Sequence, residues 1–359
     1  MDEQGNIITA NVDMNKNRIA FIDLAKGLCI SIVMLFHIKG ITPDSCPLSP
    51  VLFMACMLPP FFFLSGYFFR EETTMRQFFL KKTNRLLVPF VFFYLTTAVL
   101  IPNILHYMFG MSFNTVVGWP SLWAFVWPGQ YPNIPLWFLW CLFVMNMLFR
   151  SILALSRLLV ARNWMGTTAI LCVGCTFLGC YAKSTLDTDI AKIFEALINL
   201  PFFVVGFLLG QKDFIARMDA ACPAVKVVLI GVAFGFSLLS CLNVDDNKVW
   251  INMLIYYVSG LAGTFLILSI SSIIVKLPLI SYLGKYSIIT VLTHGIMVRM
   301  GFQFFSKVST VINPNIVVIA FWTVMALSYL IIIPFCNHYL PRVTGLFDEK
   351  AIAAISTNK

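Results

Sequence analysis

The chain has 359 residues, of which 59% are hydrophobic and only 11% charged, with a formal net charge of +9. A soluble domain holds roughly 45–50% apolar residues, so this composition excludes one and predicts an all-α integral membrane protein. The positive balance reads as the cytoplasmic Lys and Arg bias that orients membrane proteins, which leaves no separate case for nucleic acid as a partner.

Residues 1–18 are polar and read as a cytoplasmic N-terminal tail, and no short apolar run ending in small residues marks a removed signal peptide. A spanning helix takes about 20 apolar residues. On that length, ten transmembrane helices are predicted, at 19–38, 50–69, 86–106, 134–153, 166–183, 190–210, 224–242, 250–274, 284–304 and 312–336. They make one membrane domain over 19–336, followed by a C-terminal tail over 337–359. An even number puts both termini on one side. Lys and Arg gather in the tails (Lys16, Arg18, Arg342, Lys350, Lys359) and in the loops after even-numbered spans, and are sparser on the other side, where, counting the outer end of the ninth span, Lys39, Lys183, Lys192, Lys248, Arg299 and Lys307 lie. Both termini are therefore expected in the cytoplasm.

The first span reads "FIDLAKGLCISIVMLFHIKG" over 21–40 and carries Asp23, Lys26 and His37. A charge near mid-bilayer costs about 2.5–3.5 kcal/mol on the insertion scale, so it is kept where it is paired, interfacial or functional. Taken singly, Lys26 could snorkel to the headgroups and His37 could be a satisfied interfacial histidine. Taken together, the eleven-residue step between them returns to within ~20° of one helix face, with about 16 Å of axial separation. Both side chains are expected to face one groove.

Two connections are long. The first, 70–85, is cytoplasmic and holds Arg70, Arg76, Lys81, Lys82 and Arg85. The second, 107–133, is external and uncharged, with Trp119, Trp123, Trp127, Tyr131, Pro120, Pro128 and Pro132. Its aromatic faces could meet a sugar or form an interfacial belt. The ten cysteines sit largely in apolar spans, as buried small hydrophobes do. Cys172-x-x-Cys175 has no ligand-type neighbours, so no metal is expected. Cys46, Cys180 and Cys241 lie near the outer face, where a disulfide could form.

The run Asp23-x-x-Lys26-Gly27 with His37 eleven residues on resembles the first-helix motif of acyltransferase family 3, membrane proteins that transfer acyl groups, usually acetyl, to sugars of cell-surface glycans. Four further stretches are similar to family signatures in the same order: "PPFFFLSGYFFR" (59–70) with Ser65, "FFLKKTNRLLVPF" (78–90) with Lys82 where the family has arginine and with Arg85, "PLWFL" (135–139), and "GKYSIITVLTH" (284–294).

The resemblance implies acetyl-CoA as donor, a carbohydrate hydroxyl as acceptor, and a place in the cell inner (plasma) membrane beside possible glycan-assembly proteins. Lys82, Arg85 and Lys26 would then hold the donor's phosphates and arm, and His37 would act as general base. His294 is assigned to the same cavity, although the predicted boundaries put it near mid-bilayer, about 10 Å inward of His37. Asp23 is expected to hold Lys26, and Arg299 either to contact the acceptor or to snorkel. Trp137 and Phe138 are expected in the bundle core. The competing reading is a transporter of a solute or lipid-linked sugar, which also needs polar groups facing a cavity but is weakened by the lack of an internal repeat. A non-catalytic scaffold would leave the shared Lys26 and His37 face an accident.

Overall fold

Inside a membrane only a helix or a closed barrel satisfies every backbone N–H and C=O, and every regular element among the described residues is helical. The computed structural model describes residues 19–38, 49–110, 117–126, 133–186, 192–242, 244–245, 247–308 and 311–344, with the side chains of 302–307 and 314 left aside. The expectations for Lys16, Arg18, Lys39, Cys46, Trp127, Pro128, Tyr131, Pro132, Lys307, Lys350 and Lys359 therefore fall outside the described residues or side chains.

In chain order the elements are α1 (Ala20–Ile38), a π-helical turn (Val51–Ala55) leading to α2 (Pro59–Tyr67), α3 (Met75–Phe109), α4 (Ile134–Leu159), α5 (Ala161–Thr185) and α6 (Ile193–Gly210). There follow α7 (Phe214–Ala220), α8 (Pro223–Cys241), α9 (Val249–Ile274), α10 (Pro278–Lys285), α11 (Ser287–Val308) and α12 (Pro314–Tyr339). Among the described residues, eight helices are long and apolar enough to cross a membrane, namely α1, α3, α4, α5, α6, α8, α9 and α12. This is a multi-pass membrane protein.

Of the other two predicted spans, the first is broken within Val51–Tyr67, and the second begins at Ser287 with α11, which is apolar over Ser287–Gly301. At the first, Pro59 and Pro60 open a new helix because they have no N–H to continue the old one, and Cys56–Leu58 is left as a break. At the second, Gly284 and Lys285 close α10, and a turn at Tyr286 separates them from α11.

The connection read as a loop over 70–85 is helical from Met75. Thr74 starts α3 with a capping box, its hydroxyl accepting from the Gln77 amide at 3.2 Å and the Gln77 side chain accepting from the Thr74 amide at 3.2 Å. Glu71, just upstream, accepts two hydrogen bonds from the Arg157 guanidinium of α4 at 2.7 and 2.8 Å, with Arg150 at 3.5 Å. The basic segment is thus fixed to α4.

Helix α1 is the axis of the bundle. Of its central window 67% is buried, against 28% for α5 and 22% for α8, and it packs on α2, α9, α10, α11 and α12. The peripheral helices turn Ile170, Phe177, Leu178, Val227 and Val228 outward, as lipid-facing surfaces do. Small residues let backbones meet. At the α2/α6 crossing a Cβ on Gly66 would overlap the Phe203 carbonyl, and one on Gly206 the Phe63 carbonyl. Cys180 and Cys241 are both free thiols.

Candidate active site

Helix α1 is unbroken from Ala20 to Ile38, so the Lys26-to-His37 step is realised as a single face. Each of the two residues lies in a different cavity. Lys26 lines one of about 200 Å³ together with Ser65 of α2, Lys82 and Arg85 of α3, Asn146 of α4 and Ser287 of α11. Three cations from two helices thus meet in one space. Lys82 is half-buried, its ammonium 5.4 Å from the Phe78 ring centre and 5.8 Å from that of Phe69, so aromatic faces replace part of its lost hydration. Arg85 is exposed. Lys81, expected to add to the positive field, instead pairs with Glu72 at 2.9 Å, and Arg76 is exposed.

His37 lines the second cavity, of about 230 Å³, and His294 lies there with it. Their ring centres are 5.3 Å apart. The expected 10 Å offset between them is therefore wrong, for a physical reason. Helix α10 lies against the first turns of α1, where a Cβ on Gly284 would overlap the Asp23 carbonyl and the Gly27 amide. Gly27 and Gly284 are thus level. His37 stands ten residues along the unbroken α1 from Gly27, and His294 ten residues on from Gly284, past the turn at Tyr286, so the glycine contact ties together the two segments that carry the imidazoles. Counting from span ends missed this because α11 begins beyond α10 rather than at the membrane edge.

His294 is fully buried. Its Nδ1 lies 2.8 Å from the Thr290 carbonyl oxygen, and since that oxygen can only accept, Nδ1 carries the proton. The free lone pair is then on Nε2, which has no hydrogen-bond partner. Asn133 holds the neighbouring turn of α11 by donating to the Leu292 carbonyl and to the Thr97 hydroxyl, each at 2.7 Å.

The two cavities share Phe61, Phe138 and Val291 as walls. The rings of Phe61 and Phe138 meet edge to face at 5.6 Å. Phe138 belongs to the apolar core, as expected, and is at the same time the partition between cations and imidazoles. Trp137 walls the histidine chamber.

Two assignments lie elsewhere. Asp23 faces a separate cavity with Lys276 and Lys285. Arg299 is five residues past His294, about 140° around α11, and lines neither the basic nor the histidine cavity. Two residues escaped the sequence reading, Asn133 and Asn146, both buried. Asn146 donates to the Leu142 carbonyl at 2.7 Å and leaves its Oδ1 unpartnered. The available signal was their amide side chains within or beside an apolar span, which hydrocarbon penalises.

A cationic cavity and a largely apolar imidazole chamber that share an aromatic wall can hold an anionic, elongated molecule at one end and expose its other end to a base. Neither a curated protein nor a solved structure matches the chain. A family model described as an acyltransferase domain matches residues 19–333. That match covers nearly all of the membrane bundle and every residue of both cavities, and the chain belongs to acyltransferase family 3.

Proposed function

We propose that this protein is an O-acyltransferase of the inner (plasma) membrane that takes an acetyl or other short acyl group from acyl-CoA and places it on a hydroxyl of a surface carbohydrate or its lipid-linked precursor. The observation that carries the reading is the shared Phe61–Phe138–Val291 partition between the three-cation cavity and the two-histidine chamber. In this reading both termini and the basic cavity face the cytoplasm, where CoA thioesters are made, and the histidine chamber lies toward the outer side.

Lys26, Lys82 and Arg85 bind the phosphates of the donor, and its flexible arm passes the partition so that the thioester lies beside His37. Asn146 Oδ1, the unpartnered acceptor in the basic cavity, receives an amide N–H of the arm. The acceptor hydroxyl gives its proton to the His37 imidazole as its oxygen attacks the thioester carbonyl. The C–O bond forms, the C–S bond breaks, and the CoA thiolate leaves and takes the proton back. His294, with its tautomer set by Thr290 and its ring against His37, stabilises the charge that His37 acquires, the role the third group plays in a catalytic triad.

The test is free CoA thiol, followed in detergent-solubilised protein given acetyl-CoA and a surface-glycan preparation. Thiol release with acylated glycan supports the reading. Folded protein that moves a glycan precursor across vesicles and releases no thiol would make it a transporter. Within the same assay, Arg85→Ala and Lys82→Ala are each expected to raise KM for acetyl-CoA about tenfold with little change in kcat, the low end for losing a hydrogen bond to a charged group. A fall in kcat at constant KM would remove these residues from donor binding.

A further inference from the structure

The histidine chamber is larger than an acetyl thioester and an attacking hydroxyl together require. At about 230 Å³ it exceeds the ~150 Å³ of an apolar protein cavity that holds benzene, a six-carbon guest, whereas acetyl offers one methyl beyond its carbonyl. Its lining is also chemically selective. Apart from the two imidazoles and the Trp137 indole, the walls are apolar side chains, with Val33 one turn below His37 on the same face of α1, and with Met57 and Leu58. The chain is non-helical at Cys56–Leu58, between the Val51–Ala55 turn and α2, and this break puts Met57 and Leu58 in the wall with Val33 and His37 of α1. A whole sugar ring would leave most of such a wall unmatched, so the acceptor presents only its hydroxyl at His37, and a charged acyl group would strand its carboxylate away from the three cations beyond the partition.

We infer that this chamber is an acyl-chain pocket, and that the preferred donor carries an uncharged acyl group of about four to six carbons rather than acetyl. The inference rests on the acyl-transfer reading above and specifies its substrate. Val33, Met57 and Leu58 set the chain length, and burial of each added methylene tightens binding roughly fourfold until the chamber is full.

The experiment measures Kd by titration calorimetry for CoA and for acetyl-, butyryl-, hexanoyl- and succinyl-CoA on the full chain in detergent. Expected is a stepwise fall in Kd from acetyl to hexanoyl, with succinyl-CoA at least tenfold weaker than its four-carbon counterpart butyryl-CoA. Val33→Phe, which fills the chamber, and Leu58→Phe, at a partly exposed position that tolerates change more readily, should each flatten the gradient. A gradient that persists undiminished in both variants is micelle partitioning and overturns the pocket. Equal Kd for CoA and all its thioesters also overturns it while leaving the donor assignment standing. Absence of binding by every CoA species removes the acyl-transfer reading and the pocket with it.

Discussion

His37→Ala is expected to lower kcat for acyl transfer by about 10²–10⁴-fold, the usual contribution of a positioned general base, with KM for the CoA thioester almost unchanged. The separation of the two effects follows from α1. Lys26, one of the three cations proposed to hold the donor, and the His37 imidazole are about 16 Å apart along one continuous helix, and Lys82 and Arg85 lie on α3, so removing the ring is expected to leave phosphate binding intact. His294→Ala is expected to cost less, about 10–100-fold in kcat, because it removes the stabiliser and leaves the base. Initial rates of CoA release at equal folded protein, judged by size-exclusion profile, measure both. An unchanged kcat in His37→Ala would take that residue out of the chemistry. A larger loss in His294→Ala than in His37→Ala would exchange their roles, which the unpartnered Nε2 of His294 makes a definite alternative outcome.

Gly284→Leu is expected to have the largest effect of any substitution outside the two cavities. A Cβ at this position already overlaps backbone atoms of Asp23 and Gly27, and backbone cannot rotate aside as a side chain does. Helices α1 and α10 must therefore separate. Overpacking of side chains alone costs about 1–3 kcal/mol, and a backbone obstacle should exceed that. Because this contact sets the level of His294 against His37, the surviving folded fraction should also lose at least tenfold in kcat. The control is Gly174→Ala on α5, where a Cβ meets nothing within 4 Å and replacement of a helical glycine is neutral to mildly stabilising. Thermal unfolding in detergent and CoA release on the same preparations test both. Equal stability and rate for Gly284→Leu and the parent would show that the glycine contact does not set the register.

Much of the site was legible as types of residue. A lysine and a histidine one helix face apart, a basic segment before the third span, a Ser-to-His run late in the chain and their order along it are local features, readable without any contact between distant segments. Their arrangement was less so. The ten-residue steps from Gly27 to His37 and from Gly284 to His294 are both visible in the chain, but nothing local says that the two glycines touch. Asp23 stands one turn from Lys26 and lines a further cavity with Lys276 and Lys285, two residues that no local pattern connects to it.

The sequence by itself determined that this chain is a multi-pass helical membrane protein of an acyltransferase family, since hydrophobic run length and motif order are properties of short stretches. The tertiary structure alone decided that one predicted span is broken before Pro59 and another starts after the turn at Tyr286, that Phe61, Phe138 and Val291 divide cations from imidazoles, and that His294 lies beside His37. Each of these depends on which helices touch and at what height. That is set by backbone contacts between residues hundreds of positions apart, which no local pattern of hydrophobicity or spacing encodes.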